Sequence, residues 1–269
     1  MAGFSNKKGL DFPPSMWDAN ASANVKIASF LANNEGVLWL NTDDIQEPNL
    51  AQLNLWNSRN GNNAIQDTES KKPEYKATGW SNKPAIYFDN VGEALVLPLD
   101  LSDTDKITVF SVVDIPSSIG NGFHVVLEHG RYYASTHGFS LFAVNTLGGW
   151  IYCAGGTGTG SAYKDTRWDG ITYGPQVIAF TIDSSLSALS QTKGFFNSVN
   201  ITPDNEGVGT GMVGNFSNDN LYIGARTDGS GGLERPLEGL VKEVLVLKSI
   251  ASDEDIVLIS QLLMEKAGI

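Results

Sequence analysis

From Val37 onward the chain repeats one pattern: short runs of β-branched and aromatic residues, each closed by Gly, Pro, Asn or Asp. GVLWLNT, AIYFDN, ALVLPL, KITVFSVVDI, FHVVLEHG, GFSLFAVN, GWIYCAGG, PQVIAFTID, GFFNSVNI, NLYIGAR and LVKEVLVLKSI all have this form. Branched and aromatic side chains fit a pleated surface, and the bounding residues supply turns. In KITVFSVVDI, Val109, Val113 and Ile115 fall on one face and Phe110 and Val112 on the other. A strand apolar on both sides is predicted to be central and covered twice. About a dozen strands with no alternating helices predict an all-β fold, an antiparallel jelly-roll sandwich rather than an α/β sheet.

One helix is predicted at the end. In SDEDIVLISQLLMEKAGI, Ser252 is an N-cap with Asp255 three residues on, Ile256, Ile259, Leu262 and Leu263 form a stripe, and Gly268 suits the C-cap. Residues 1–36 differ from the rest. FPPSMW excludes helix, and Val25, Ile27, Ala28, Phe30 and Leu31 fit a short helix closed by Asn34 or Gly36. The expected organisation is an N-terminal arm over 1–36, packed on its own domain or anchoring it to something larger, and one domain over 37–269.

The 269 residues carry a net charge of −12, which disfavours phosphate backbones and so a nucleic-acid partner. A single cysteine, Cys153, rules out an internal disulfide. The opening MAGFSNKKGLDFPPS lacks an apolar segment or cleavage pattern, so neither a secretory signal nor membrane insertion is expected.

WNSRNGNNAIQ, Trp56 to Gln66, reads as a self-bonded amide loop leading into the sandwich, with Trp56 in core or corner packing. Together with later segments it carries a resemblance. Trp56, Ser58, Gly61, Asn62, Asn63 and Ala64, then Lys83, Pro84, Phe88 and Asp89, follow motifs of the laminin G-like branch of the concanavalin A-like lectin/glucanase superfamily. LYIGAR and LEGLVKEVLVLKSIASDEDIVLISQLLMEKAGI resemble the last strands and closing helix of that family. The likeness covers 37–269. It implies a fold used by glycan binders, adhesins, enzymes and spacers, common in bacterial surface proteins and in phage appendages and capsids. No cofactor is expected. Relatives often carry an acid, sometimes linked to calcium, where this chain has Lys242, an ammonium unsuited to Ca²⁺. Asp89, Asn90 and the 226–235 loop RTDGSGGLER are the remaining oxygen sources for such an ion.

The candidate ligand residues are Arg131, Tyr132, Tyr133, Trp150, Tyr152, Tyr163 and Trp168, aromatic faces and a guanidinium gathered between turns, as glycan recognition requires. Ordinary sheet packing is the competing reading for Trp150 and Tyr152. No Glu is followed two positions later by Asp, so the paired carboxylates of the superfamily's glucanases are missing and no catalytic residue is assigned. A polysaccharide lyase built on Arg131, Tyr132 or Tyr133, His129 and His137 is the least favoured reading, since only Lys164, Arg167 and Arg131 would meet an acidic polymer. His124 and His129, five apart, are expected on opposite faces of a strand, which argues against zinc. The sequence thus predicts a non-enzymatic, virion-associated domain that binds a surface glycan and meets other virion proteins through its arm, with a homo-oligomer compatible. The alternative is a structural decoration protein making protein contacts only.

Overall fold

The computed structural model describes residues 22–130, 137–145, 150–156, 163–169, 173–204 and 211–269, with backbone alone at Trp150, 152–154, Gly156, Tyr163 and Lys164. In chain order the elements are α1 (Ala23–Asn33), β1 (Gly36–Asn41), β2 (Ala51–Gln52), β3 (Leu55–Trp56), β4 (Ala64–Ile65), β5 (Glu74–Trp80), β6 (Lys83–Asp89), β7 (Leu95–Asp100), β8 (Lys106–Ile115), β9 (Gly122–His129) and β10 (Gly138–Asn145). They continue with β11 (Trp150–Gly156), β12 (Tyr163–Asp169), β13 (Gly174–Asp183), β14 (Thr192–Phe196), β15 (Val199–Ile201), β16 (Asn218–Ile223), β17 (Arg226–Thr227), β18 (Leu233–Glu234), β19 (Glu238–Leu247) and α2 (Asp253–Ala267). A nine-stranded antiparallel sheet, ordered β15-β14-β13-β8-β19-β6-β5-β2 with β1 also on β19, faces an eight-stranded one ordered β12-β11-β10-β9-β16-β7-β4-β3. The fold is the all-β sandwich the sequence predicts.

Strand β8 lies between β13 and β19, and its two apolar faces serve two cores. Ile107, Val109, Val113 and Ile115 join the core between the sheets, while Phe110 and Val112 join a second core under the helices. Helix α2 forms as predicted. Ser252 Oγ accepts the Asp255 N–H at 3.1 Å, Gly268 turns left-handed at φ 77°, and Ile256, Ile259, Leu262 and Leu263 are buried. Helix α1, capped by Ser22, buries Ile27, Phe30 and Leu31 in the same core, with Phe30 edge-on to Phe110 at 6.1 Å. Helix α1, inside the segment 1–36, thus packs over the second apolar face of the sheet. FPPSMW and the rest of 1–21 lie outside the described residues.

Strand β19 changes neighbours along one edge. Residues 238–241 pair with β6 and 243–247 with β1, and the register against β8 shifts between Val241 and Glu243. Lys242 sits at this shift, fully buried. Its Nζ donates to Asp43 Oδ1 at 2.9 Å and Pro84 O at 3.1 Å, with Thr42 Oγ1 at 3.4 Å. Burial works to raise the Asp43 carboxyl, but the hydrogen bond and charge of Lys242 outweigh it and hold the carboxyl below its usual range. Next to it Glu243, also buried, accepts the Trp39 indole N–H at 2.7 Å and the Lys266 ammonium of α2 at 2.8 Å.

The amide loop ties the sheets together. Trp56 is fully buried, and Trp56 and Ala64 pair across the β3–β4 hairpin. Asn60 Nδ2 donates to Gly36 O at 3.0 Å, Asn62 Nδ2 to Pro98 O at 2.8 Å, and the Arg59 N–H to Trp39 O at 2.9 Å. Gly61 holds φ 82°, and a Cβ there would lie 2.2 Å from Val37 O. The Ser58 N–H donates to Asn63 Oδ1 at 3.0 Å within the loop, so its amides both close the corner and satisfy carbonyls of the flanking strands.

Lys242→Met is expected to lower unfolding stability by about 1 kcal/mol, because the partly exposed Asp43 carboxylate loses its ammonium partner while the Pro84 carbonyl keeps the Thr42 hydroxyl. Urea denaturation checks this; a midpoint within error of the parent protein's would refute the role given to Lys242.

Candidate functional site

The two sheets differ in what covers them. Helices α1 and α2 seal the outer face of the nine-stranded sheet. On the eight-stranded sheet, Trp56, Ala64, Leu97, Leu221, Leu127 and Leu141 turn inward to the core. Side chains alternate along a strand, so their neighbours stand on the outer face. Register then aligns one row across six strands: Leu55, Ile65, Val96, Tyr222, Glu128 and Ser140.

The polar end of this row is built around a buried carboxylate. Glu128 Oε1 accepts the Ser140 hydroxyl at 2.8 Å and lies 3.7 Å from Arg226 Nη1. Arg226, itself nearly fully buried, donates from Nε to Glu234 Oε1 at 2.9 Å, its cross-strand partner in the β17–β18 hairpin. A buried charge persists only when paired, so one guanidinium is shared between two carboxylates. Beside this group the exposed Arg235 takes a left-handed backbone at φ 54° and sets its guanidinium 4.9 Å over the Phe123 ring. Phe123 meets Phe142 edge-on at 5.7 Å. The Arg235 carbonyl accepts the Val125 N–H at 2.9 Å, and the next carbonyl, Pro236, lies 2.7 Å from His124 Nδ1. Among the described residues this surface exposes the Glu234 carboxylate, the Arg235 guanidinium and the Tyr222 ring, with the Glu128–Arg226 pair buried beneath them.

The predicted ligand residues separate. Arg131, Tyr132 and Tyr133 lie outside the described residues. Trp150 and Tyr152 hold adjoining places in the rows of this sheet: Trp150 between Val144 and Asp169, and Tyr152 between Phe142 and Arg167. Tyr163 pairs with Gly156 at the far end of β12. The side chains of these three lie outside the described residues. Trp168 is placed differently from the expectation. It pairs with Ile151 on the inward face, is 1% exposed, packs against Phe196 at 5.5 Å and donates its indole N–H to Ile201 O at 2.8 Å. A Cβ on Gly194 would lie 2.4 Å from its ring, so no face is left for a sugar.

The histidines also need a correction. His124 and His129 pair with Ala143 and Phe139, both on the core side, because the register shift between Leu141 and Phe142 inserts Val126 and reverses the parity. Each histidine meets a backbone carbonyl: His124 Nε2 at Gly120 O, His129 Nε2 at Leu99 O and His137 Nδ1 at Asn215 O, at 2.8, 2.9 and 2.7 Å. Burial pushes the His129 imidazole down, which keeps it neutral. Among the described residues no three His, Cys, Asp or Glu side chains gather as a metal group would need. Of the oxygen sources considered for calcium, Asp228 Oδ1 accepts the Ser230 and Gly232 N–H groups at 2.7 and 2.9 Å, and Asp89 Oδ1 accepts the Val91 N–H at 3.0 Å. Among the described residues no helix is long and apolar enough to cross a membrane.

Sequence reasoning missed Glu128, Arg226 and Glu234 as a group, although all three fall in or beside segments it had noted. The available signal was an ionisable residue inside the apolar run FHVVLEHG.

No known sequence family and no curated protein matches the chain. Solved structures do. Domain 4 of AbnA, a GH43 extracellular arabinanase from Geobacillus stearothermophilus solved with arabinotriose, superposes with a TM-score of 0.53 at 15% identity, covering 84% of this chain and 100% of that one. The botulinum neurotoxin serotype D binding domain gives 0.56 at 11% identity over 86% of this chain and 52% of that one, and the serotype G binding domain 0.57 at 9% over 85% and 51%. The chain is thus an all-β sandwich of lectin-like fold.

Glu93, whose Oε2 accepts the Asp89 N–H at 2.9 Å, is pushed up to about 7, chiefly by burial, with the charges of Asp89 and Glu74 adding. A carboxyl raised in the folded state binds its proton more tightly there than in the unfolded chain. Its contribution is therefore full below the ordinary value of 4.5 and is lost as pH rises to about 7. Glu93→Gln keeps an oxygen for the Asp89 N–H. It is expected to flatten the urea-midpoint profile over that window and to raise the midpoint above pH 7; an unchanged slope would count against this.

Proposed function

We propose that the protein is a non-catalytic domain that binds a glycan on the outer face of its eight-stranded sheet. The observation that carries this is the contrast between the two outer faces. One is sealed by helices. The other carries no helix and leaves Tyr222, Glu234, Arg235 and Phe123 partly or fully exposed above the buried Glu128, Ser140 and Arg226. Carboxylates and a guanidinium suit the directional hydrogen bonds of sugar hydroxyls, and a tyrosine ring suits a sugar's C–H face. The likeness in fold to an arabinanase domain solved with arabinotriose supports the reading, as do the toxin binding domains. Trp150 and Tyr152 belong to the same proposal through their places beside Phe142 and Arg167. The laminin G-like motifs and the setting in a phage virion, with residues 1–36 as the docking arm, rest on the sequence resemblance and form part of this reading.

The test is titration of the full chain against a broad glycan panel. Saturable binding is expected. Tyr222→Ala should weaken it about tenfold, the upper range for loss of one aromatic contact, and Arg235→Ala should also weaken it. A folded protein that binds nothing on the panel would leave the decoration-protein reading instead.

A further inference from the structure

His124 differs from the other histidines in what its ring meets. Its Nδ1 lies 2.7 Å from Pro236 O and its Nε2 2.8 Å from Gly120 O. Both partners are backbone carbonyls, which only accept, so both ring nitrogens have to carry a proton. A neutral imidazole has a single N–H and would turn its bare nitrogen against the second oxygen. Only the imidazolium satisfies this geometry. His129 and His137 each meet one carbonyl, which the neutral ring serves. The His124 side chain is 5% exposed, which leaves little water to replace a lost partner. The charges on the elements around it are Glu234 and Arg235 before β19, Asp89 and Glu93 in the β6–β7 turn, Arg226 on β17 and Glu128 on β9. Asp114 and Glu238 share the outward face of Leu240, on the far side of the other sheet from the core. Strand β10 and the 116–121 loop carry no charge. Glu128 and Glu234 meet Arg226, and the ring's own partners are the two carbonyls.

The Pro236 carbonyl belongs to a strained segment. Arg235 has a left-handed backbone at φ 54° directly before a proline, where extended backbone is the rule. Such a conformation persists only where its surroundings over-determine it. Two ties do so: the Arg235 carbonyl accepts the Val125 N–H at 2.9 Å, and the next carbonyl accepts from His124. The 116–121 loop has no positive φ, and Asn145 Nδ2 holds its Ile119 carbonyl. With one proton on the ring, relief of strain at Arg235 therefore favours giving up Pro236 rather than Gly120. We propose that His124 is a proton-operated clasp: charged, it binds the Pro236 and Gly120 carbonyls together and keeps Arg235 in its left-handed turn over Phe123; neutral, it releases Pro236 and Arg235 relaxes. Histidine exchanges its proton between about pH 5 and about pH 8. The exposed Arg235 guanidinium of the candidate surface is thus fixed at the acid end of that range and freed at the alkaline end. The clasp needs no ligand and stands apart from the glycan reading.

Long-range proton–nitrogen correlation NMR of the full chain, with nitrogen-labelled histidine, reads each ring nitrogen directly. At about pH 5 both nitrogens of His124 are expected to carry protons, and at about pH 8 only Nε2, the one facing Gly120. Amide hydrogen exchange at Val125, corrected for the intrinsic effect of pH, reads the segment itself. Its protection is expected to fall about fivefold from the acid to the alkaline end, the effect of losing one ordinary hydrogen bond. His124→Gln puts an amide donor that does not titrate in place of the ring and should flatten the Val125 profile. His137→Gln, which removes the histidine bonded to Asn215, should leave that profile as in the parent protein. The ring measurements use the parent protein and stand without either variant. A ring with one proton at the acid end, or with both at the alkaline end, would overturn the proposal. So would a lone proton on Nδ1, a flat Val125 profile in the parent protein, or a parent-like profile in folded His124→Gln.

Discussion

One sheet in this protein is apolar on both faces, and the rest of the architecture answers that fact. Strand β8 sends Val109 and Val113 into the space between the sheets and Phe110 and Val112 out of it. The outward set is stable only under cover, and α1 and α2 provide it with Ile27, Phe30, Ile256, Ile259 and Leu263. Both helices are thereby committed to one side of the molecule. The second sheet turns its inner residues to the core, and the row on its outer face runs from the exposed Leu55 and Ile65 to the buried Glu128 and Ser140.

The second constraint is the crowded edge of β19, which must serve both β6 and β1. Two strands meeting end to end on one neighbour expose carbonyls at the junction that a regular ladder would satisfy. The chain answers with a buried ammonium, Lys242, whose three donors reach Asp43, Thr42 and Pro84 from the shift in register. Glu243 alongside works in the opposite sense, holding Trp39 of β1 and Lys266 of α2 on one carboxylate. The shift in register is thus an internal salt-bridged joint, and it links the sheet to its covering helix.

Much of this was legible in the sequence because it is local. The double-faced apolar pattern of 106–115, the cap and stripe of 252–268 and the self-bonded loop after Trp56 depend on spacings of a few residues, and each is found as read. What was misread depends on long-range register. Val126 is one extra residue in β9, invisible in FHVVLEHG, yet it reverses parity and puts His124 and His129 on the same side. Trp168 sits in a segment rich in Gly, Tyr and Arg that resembles a binding loop, but pairing with Ile151 turns it into the core against Gly194. Glu128 is far in the chain from Arg226 and Glu234 and meets their hairpin only because β9 lies beside β16, which that hairpin follows.

The same long-range assembly explains why buried charge sits on this face of all places. Burying Glu128 alone would be strongly unfavourable, and Arg226 relieves it only by being drawn from the hairpin into the sheet surface. Glu234 then meets the guanidinium from the other side of that hairpin. Replacing the trio with apolar residues of similar volume would satisfy the core at least as well, since buried ion pairs contribute little net stability against such packing. Stability therefore gives no reason for these ions; what they do is fix the place of the β17–β18 hairpin against β9, since only one arrangement brings Arg226 to both carboxylates.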